Sequence, residues 1–379
     1  MANLTNFAAL ASEQKLAWSR DLWRVARNQS FAMKFTGKGP NAMITRVTEL
    51  TKNEKGTQAI FQLLAELEGD GVTGDNWLEG NEEAMRSFDQ KIKMDQLRHA
   101  NRLAGRMADQ KSTITFRENS RDVLAYWLAD RIDQLTFQTL AGWDYALKPN
   151  GAARTKLGHL PSESGYALAD LEFAEDLSAP SANRHLRMTA NGDLAAGDTT
   201  AVAAGDRINY KSLVLAQAYA KDHYIRGIKA GNGEDVYHVF VTPTVMAQLK
   251  LDPDFMSNVR HAGVRGDKNT LFAGANSVMV DGMIVHQYRH VPNTQGMADG
   301  NKWGSSGAVD GARVLMCGAQ ALGMADIGAP GWDEKSFDYG NQHGIAIDKI
   351  FGLKKPKFNS DVTKTVEDFG VLALDVATS

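Results

Sequence analysis

The sequence predicts an α+β fold, and three observations carry that reading. Residues 117–142, RENSRDVLAYWLADRIDQLTFQTLAG, hold the clearest helix pattern in the chain. Leu124, Leu128, Ile132 and Leu135 recur at spacings of four, four and three and so share one face, which Val123 and Trp127 widen. From residue 237 onward, short apolar strand runs alternate with helix signals. Helices and strands are partly segregated along the chain, and strict βαβ alternation is missing.

Composition sets the bounds. With 379 residues, 43% of them hydrophobic, the chain can bury one large core or two to three smaller ones. A net charge of −3 gives no whole-chain sign of nucleic-acid binding. The single cysteine, Cys317, excludes an internal disulfide framework and suits a reducing compartment. The start, MANLTNFAAL, lacks the pattern of a signal peptide, and no apolar run has the length of a membrane span.

In order, residues 12–28 predict a first helix with Ser12 as a cap and Leu16, Trp18, Leu22, Trp23 and Val25 on an apolar face. Residues 59–95 predict a two-stranded arm with a mobile, glycine-rich and acidic tip, GDGVTGDNWLEGNEEAM. The return strand carries Phe88, Ile92 and Met94. Residues 96–109 are expected to be a helix whose Arg98, Arg102 and Arg106, four apart, make a basic stripe. A short strand, 112–116, then leads into the long helix, which Asn119 or Ser120 caps and Gly142 ends.

Residues 143–206, punctuated by Lys148-Pro149-Asn150-Gly151 and Asn191-Gly192, are the least regular part and suggest an inserted loop or a small β subdomain. Residues 208–223 return to helix, with Asn209 as cap and Ile208 and Leu213 placed for a hydrophobic staple. Residues 237–241 are a strand, and Pro243 opens the next helix. Asp252-Pro253 interrupts that helix and Gly263 closes it. Residues 278–288 form a hairpin about Asp281-Gly282, and a glycine-rich loop spans roughly 292–311. Residues 313–317, 345–351 and 369–376 complete the strands.

Chemistry-bearing motifs are weak. Residues 69–74, GDGVTG, match the glycine pattern of a dinucleotide loop, but no helix signal follows Gly74, and Asp70, Asp75 and Glu79 repel phosphate. His286 and His290 lie four apart on a strand and suggest scattered surface histidines. There is no Walker loop and no nucleophile elbow. The residues point to no catalytic, cofactor or metal site.

Four stretches taken together resemble the N-four-type family of tailed-phage major capsid proteins, within the Hong Kong 97 capsid fold. They are the arm helix with Trp18 and Trp23, the segment NWLEGNEEAM, the segment KMDQLRHANRLAGRMADQ and the long helix ending in LAGW. The likeness is strongest over residues 18–145 and looser over 237–358. It implies an N-terminal arm at 1–57, an extended hairpin or E-loop at 58–95, and a peripheral domain at 96–236 with spine helix 117–142 joined by helix 208–223. Residues 143–206 stay unassigned within that domain. An axial domain follows at 237–340, and residues 341–379 return to the peripheral domain. The implied function is a non-enzymatic shell subunit, assembling as hexamers and pentamers around double-stranded DNA contacted without sequence specificity. Implied partners are further copies of the chain, a scaffolding protein, a portal protein and a decoration or cement protein. A separate scaffold is expected because the arm helix begins near Ser12. The alternatives are an encapsulin-like nanocompartment and, from another class, a soluble enzyme with a nucleotide loop at 69–74.

Local charge predicts how copies meet. Residues 1–58 carry nine basic and four acidic groups, residues 59–89 one and eight, and residues 90–121 eight and three. An acidic arm is thus flanked by basic segments. Its tip (Trp77, Leu78, Glu79, Glu82 and Glu83) is expected to dock on the basic arm of a neighbour (Trp18, Trp23, Arg24) or on its Arg98, Arg102 and Arg106 stripe.

Overall fold

A 26-residue helix, Phe116–Ala141, runs through the molecule as its spine. The structure is a computed structural model that describes residues 12–48, 56, 58–64, 70–82, 87–111, 115–155, 168–231, 233–262, 277–360 and 363–378. The spine changes character along its length. Its first half is amphipathic, with Leu124 and Leu128 buried and Val123 and Tyr126 exposed, so Val123 does not join the apolar stripe. From Ile132 to Ala141 every residue is buried. Gly142 stops it in the left-handed region at φ 64°, where an added Cβ would lie 2.4 Å from the Ser178 carbonyl oxygen, so only glycine fits.

The start of the spine differs from expectation. Thr115 occupies the cap position without a side-chain cap bond, and Phe116, packed against the core, draws the helix back beyond Asn119 and Ser120. Those two residues sit inside the first turns. The Asn119 amide donates to the Thr115 carbonyl at 2.9 Å, and Asn101 Nδ2 donates to the buried Ser120 hydroxyl at 3.2 Å. Most of the expected strand 112–116 lies outside the described residues.

Against the C-terminal half of the spine lies an eight-stranded sheet. Its path runs 277–280, 283–287, 235–241, 311–317, 371–377, 185–188 and 194–196, with 228–229 added beside 235–241. Side-chain alternation splits the central strands, 235–241, 311–317 and 371–377, between two cores. Phe240, Leu315 and Cys317 face the spine, whereas Val239, Val241, Val314 and Met316 face helices Tyr210–Asp222 and Pro243–Leu251. Burial on both faces explains why these strands read as unbroken apolar runs.

Three expectations change here. Helix 208–223 was assigned to the spine, but its Leu213, Ala216 and Ala220 belong to the second core, on the far face of the large sheet. Strand 371–377 does not join the spine's smaller neighbouring sheet. It lies inside the large one, antiparallel to 311–317 and parallel to 185–188. The unassigned stretch 143–206 supplies strands 185–188 and 194–196, which close one edge of that sheet.

A six-stranded sheet covers the N-terminal half of the spine, with the 13-residue strand Gln342–Lys354 at its centre. Residues 95–102, expected to be helical, form a strand paired along it from Asp95↔Phe351 to Arg102↔Gly344. Only Arg106–Lys111 is helix. A spacing of four is even, so Arg98 and Arg102 share a face on a strand as they would on a helix, and the arginine pattern alone could not distinguish the two. Pairing with a long, twice-bonded strand decides the outcome.

Local turn chemistry holds where it was expected. Asn209 and Ser212 form a reciprocal capping box. The Thr242 hydroxyl accepts from Val245 N ahead of Pro243. Asp252 separates helices Pro243–Leu251 and Pro253–Ala262. Asp281 and Gly282, at φ 42° and 73°, make the two-residue hairpin turn. Gly263 lies outside the described residues.

Candidate assembly surfaces

The acidic arm is rooted before it is exposed. Strands Gln58–Leu64 and Ser87–Lys93 pair antiparallel over seven residues each. Ala59, Phe61, Leu63, Ile92 and Met94 cluster with Ala325 of the six-stranded sheet. The paired length is roughly 23 Å at the usual rise per residue, about half the ~50 Å that strands of about 15 residues give. Beyond the root, residues 70–82 leave the body as a series of turns with Gly71, Gly74 and Gly80 at positive φ. Asn76 Nδ2 donates to the Thr73 carbonyl at 2.7 Å, Asn81 Nδ2 to the Trp77 carbonyl at 3.0 Å, and Gly80 N to Glu82 Oε2 at 2.8 Å. These bonds hold Trp77 and Leu78 outward, 78% and 60% exposed. Glu79 is also exposed. Glu83 lies outside the described residues. No helix follows Gly74, so the dinucleotide reading lacks the amide cluster it needs.

The tryptophans of the arm helix, Ser12–Gln29, satisfy themselves at home. Trp18 stacks on Trp332 at 5.8 Å, under the Arg121 guanidinium. Trp23 is buried with the Lys349 ammonium 4.2 Å from its ring centre. Both were expected at a contact between copies; in this structure they fix the arm to its own body. Arg24 pairs with Asp21 at 2.5 Å on the exposed side. Arg20, Arg24, Arg27 and Lys34 line a groove of about 400 Å³ beside Trp23.

The expected arginine stripe is dispersed. Arg98 is exposed on strand 95–102. Arg102 bonds to Gln342 and lies 4.1 Å from the Phe337 ring centre. Arg106 opens the short helix, its backbone N–H donating to Asn341 Oδ1 at 3.3 Å.

Sequence patterns did not reveal the latch beneath the arm. Asp133, buried in the spine, accepts from Ser30 Oγ at 2.5 Å, Phe31 N at 2.8 Å, Ala32 N at 3.0 Å and Tyr288 Oη at 2.5 Å. One carboxylate thus joins the arm, the spine and the strand after the 281–282 turn. The only sequence signal is an aspartate lying between Ile132 and Leu135 of the apolar stripe. Beside it, His238 and His286, on adjacent parallel strands, meet at 3.0 Å among Phe31, Phe35 and Phe240. Burial pulls both imidazoles down to about 4. His290, also read as a surface histidine, is buried and bonds to Asp130 at 2.7 Å. Burial alone would raise the Asp130 carboxyl, but the His290 bond and the charges of His290, Arg131 and Arg289 bring it down to about 2.

Among the described residues no group of three His, Cys, Asp or Glu side chains converges as a metal site, and no helix is long and apolar enough to cross a membrane. Cys317 is buried, and burial pushes its thiol up. What remains at the surface is a projecting acidic loop and exposed basic side chains on a two-sheet body.

The chain belongs to the phage capsid protein family, whose sequence model matches residues 6–379. It is 52% identical over 378 residues to the major capsid protein of Pseudomonas phage KPP25, spanning 99% of this chain and 98% of that one. Its fold matches the capsid of Ralstonia phage GP4 with a TM-score of 0.72 at 24% identity, covering 92% and 91% of the two chains. It also matches the capsid of cyanophage Pam1 with a TM-score of 0.67 at 16% identity, covering 100% and 96%. The architecture is therefore the Hong Kong 97-like capsid fold, and the protein is a major capsid protein of a tailed phage, a component of the virion.

Proposed function

We propose that copies of this chain assemble as hexamers and pentamers into an icosahedral shell around double-stranded DNA, without any enzymatic step of their own. The observation that carries this is the projecting acidic loop, whose Trp77 and Leu78 have no cover within the subunit. A phage shell subunit meets identical neighbours on all sides, so such a loop finds its partner on another copy. The family likeness brings in a separate scaffolding protein, a portal protein and a decoration or cement protein as partners, and the host cytoplasm as the place of assembly. Negative-stain microscopy of the purified chain, alone and with a co-expressed scaffold, tests the reading: closed shells of uniform size are expected. Discrete small oligomers under both conditions reject it.

The division of the chain that goes with this function is an N-terminal arm, 1–57, an E-loop, 58–95, a peripheral part built on the spine, and an axial part. Helix 210–222 and strands 185–196 and 371–377 then go with the axial part, because they share its sheet and its core.

Exposed ion pairs contribute only about 0–1 kcal/mol each, so the loop carboxylates set register and encounter more than strength. Strength rests on Trp77 and Leu78, since burying such a side chain yields roughly 1.5–3 kcal/mol. Glu79→Lys combined with Glu82→Lys is expected to slow assembly, followed by light scattering, and to change its dependence on salt. Trp77→Ala is expected to leave the salt response intact and to lower the temperature at which finished shells break. Parent-like assembly and heat resistance in both variants would remove the loop from the contact.

No covalent cross-link through this loop is expected. Between Gly56 and Gln90 the chain has no lysine, so an isopeptide bond lacks its amine nucleophile there. Boiled shells should run as a single band at the monomer position on a denaturing gel. A ladder of oligomers contradicts this.

A further inference from the structure

The arm helix Ser12–Gln29 buries one side and charges the other. Leu22, Trp23 and Ala26 are buried in the main core, whereas Arg20, Arg24 and Arg27, at spacings of four and three, share one face and are all exposed. Past the helix, the short turn Ala32–Phe35 adds the exposed Lys34, whose ammonium lies 5.6 Å from the Phe31 ring centre. The Asp133 latch fixes that turn through the N–H groups of Phe31 and Ala32, and so sets Lys34 beside the arginine row.

These four cations line the groove of about 400 Å³ beside Trp23, and none of its lining residues is acidic. Among the described residues only Arg24 of the four has a carboxylate partner. That partner, Asp21 at 2.5 Å, is shared with Arg121 at 2.7 Å. The positive charge of the groove is therefore largely uncompensated, although the whole chain carries a net charge of −3.

Three kinds of anion compete for such a groove, and its geometry separates them. A free phosphate needs donors that converge on one point, but Arg20 and Arg27 leave the helix roughly 10 Å apart along its axis. An acidic protein segment needs apolar cover as well as charge, because exposed ion pairs alone hold weakly. The groove offers little cover: Trp23 is buried with the Lys349 ammonium 4.2 Å from its ring centre, and Met33 is half-buried. A strand of duplex DNA carries a phosphate about every 3.4 Å of axis, so the arginine row spans about three of them. Each phosphate neutralised releases condensed counterions, a gain that sparse carboxylates do not supply. Guanidinium groups add bidentate geometry toward phosphate oxygens.

We propose that this groove binds the phosphate backbone of the packaged double-stranded DNA, without reading its sequence. This rests on the reading that copies of the chain enclose DNA in a shell. It adds the face that meets the genome: the charged side of the arm helix points into the particle, and its cations are not the seat of a neighbour's acidic loop.

The test titrates the full-length unassembled subunit against a fluorescently labelled duplex of mixed sequence, by anisotropy, at several salt concentrations. Contacts to as many as four phosphates give a slope of log K against log salt of about −3 to −4. Arg20→Gln combined with Arg27→Gln is expected to weaken binding roughly tenfold at low salt and to flatten the slope by about two. Arg20→Lys with Arg27→Lys should keep the slope. Lys211→Gln with Lys221→Gln removes two exposed positive charges from helix Tyr210–Asp222 and should change neither value. An equal loss in that control means diffuse attraction and overturns the proposal. So does polyglutamate that binds as tightly as the duplex at equal charge, which makes the groove a seat for acidic protein. In DNA-filled heads, ultraviolet cross-linking should leave nucleotide adducts on peptides between Arg20 and Lys34; adducts confined to other segments overturn the assignment. Shells that form from a subunit unable to bind the duplex reject the groove alone. Absence of shells from the parent chain, with and without scaffold, removes the assembly reading and with it packaged DNA as the occupant.

Discussion

Asp133→Ala is expected to be among the most damaging single substitutions in the subunit. The carboxylate it removes accepts four hydrogen bonds, two of them from backbone N–H groups of Phe31 and Ala32. Ala32 is buried and Phe31 is stacked on Tyr288 at 4.3 Å, so water has poor access to the donors left behind. Stranding buried donors and opening a gap in a packed site costs about 3–5 kcal/mol, comparable with breaking a buried charged pair. A drop of that size in the urea unfolding free energy of the unassembled subunit is the measurement. The arm should also become sensitive to protease near Ser30 before the rest of the chain unfolds. Asp133→Asn, which keeps the shape and one acceptor, should fall between the two. A variant as stable as the parent would show that the arm is held by its tryptophans alone.

Acid is expected to act at the same place through His238 and His286. Their folded values, about 4, lie below the ordinary imidazole value of 6.5. The folded state thus binds fewer protons than the unfolded chain between those limits. The stability this contributes is fully present above pH 6.5 and is lost progressively as pH falls to about 4. Each unit corresponds to about 1.4 kcal/mol. The rings are partly exposed and coupled to each other, so with solvent screening discounted the pair is worth about 3 kcal/mol. The check is a stability profile of the unassembled subunit from pH 7 to 4, compared with that of His238→Gln, His286→Gln. The double variant should start lower and show a flatter profile across this window. Equal slopes in the two proteins would remove the histidine pair as the acid-sensitive element. Asp130, at about 2, should matter only in far stronger acid.

Much of this architecture could be read from residues alone, for reasons that are local. The spine declares itself because its apolar spacing matches one helical face and Gly142 supplies the stop. The box at Asn209 and Ser212, the proline at 243 and the Asp281-Gly282 turn are each fixed within a few residues. Errors arise where distant pairing decides. Residues 95–102 look helical until the strand 342–354, some 250 residues away, is placed beside them. Helix 208–223, expected to join the spine, packs instead in the second core, because an amphipathic face says that something covers it without saying what. The candidate contact residues divide in the same way. Trp77, Leu78 and Glu79 are exposed as their acidic, glycine-rich setting suggests, whereas Trp18 and Trp23 find partners in Trp332 and Lys349, from a remote part of the chain. The Asp133 latch left no pattern, since two of its four donors are backbone N–H groups without a sequence signature and the other two, Ser30 and Tyr288, come from distant parts of the chain.

The position of strand 371–377 has a consequence for how the subunit is made. It lies in the interior of the large sheet, between strands that precede it by roughly 55 and 185 residues. Until it is synthesised, the edges of strands 311–317 and 185–188 that it pairs lack a backbone partner, although each strand pairs on its other side, and both adjoining cores lack its side chains. Contacts of such long sequence separation form slowly, because a large loop must close before any bond compensates for it. The sheet therefore closes only after its last strand has left the ribosome. A truncated chain lacks a central strand and presents unpaired edges, which quality-control proteases and chaperones recognise. In a particle built from many identical copies, one defective subunit damages a whole lattice, and this topology withholds the finished fold from any chain whose synthesis has not reached that strand.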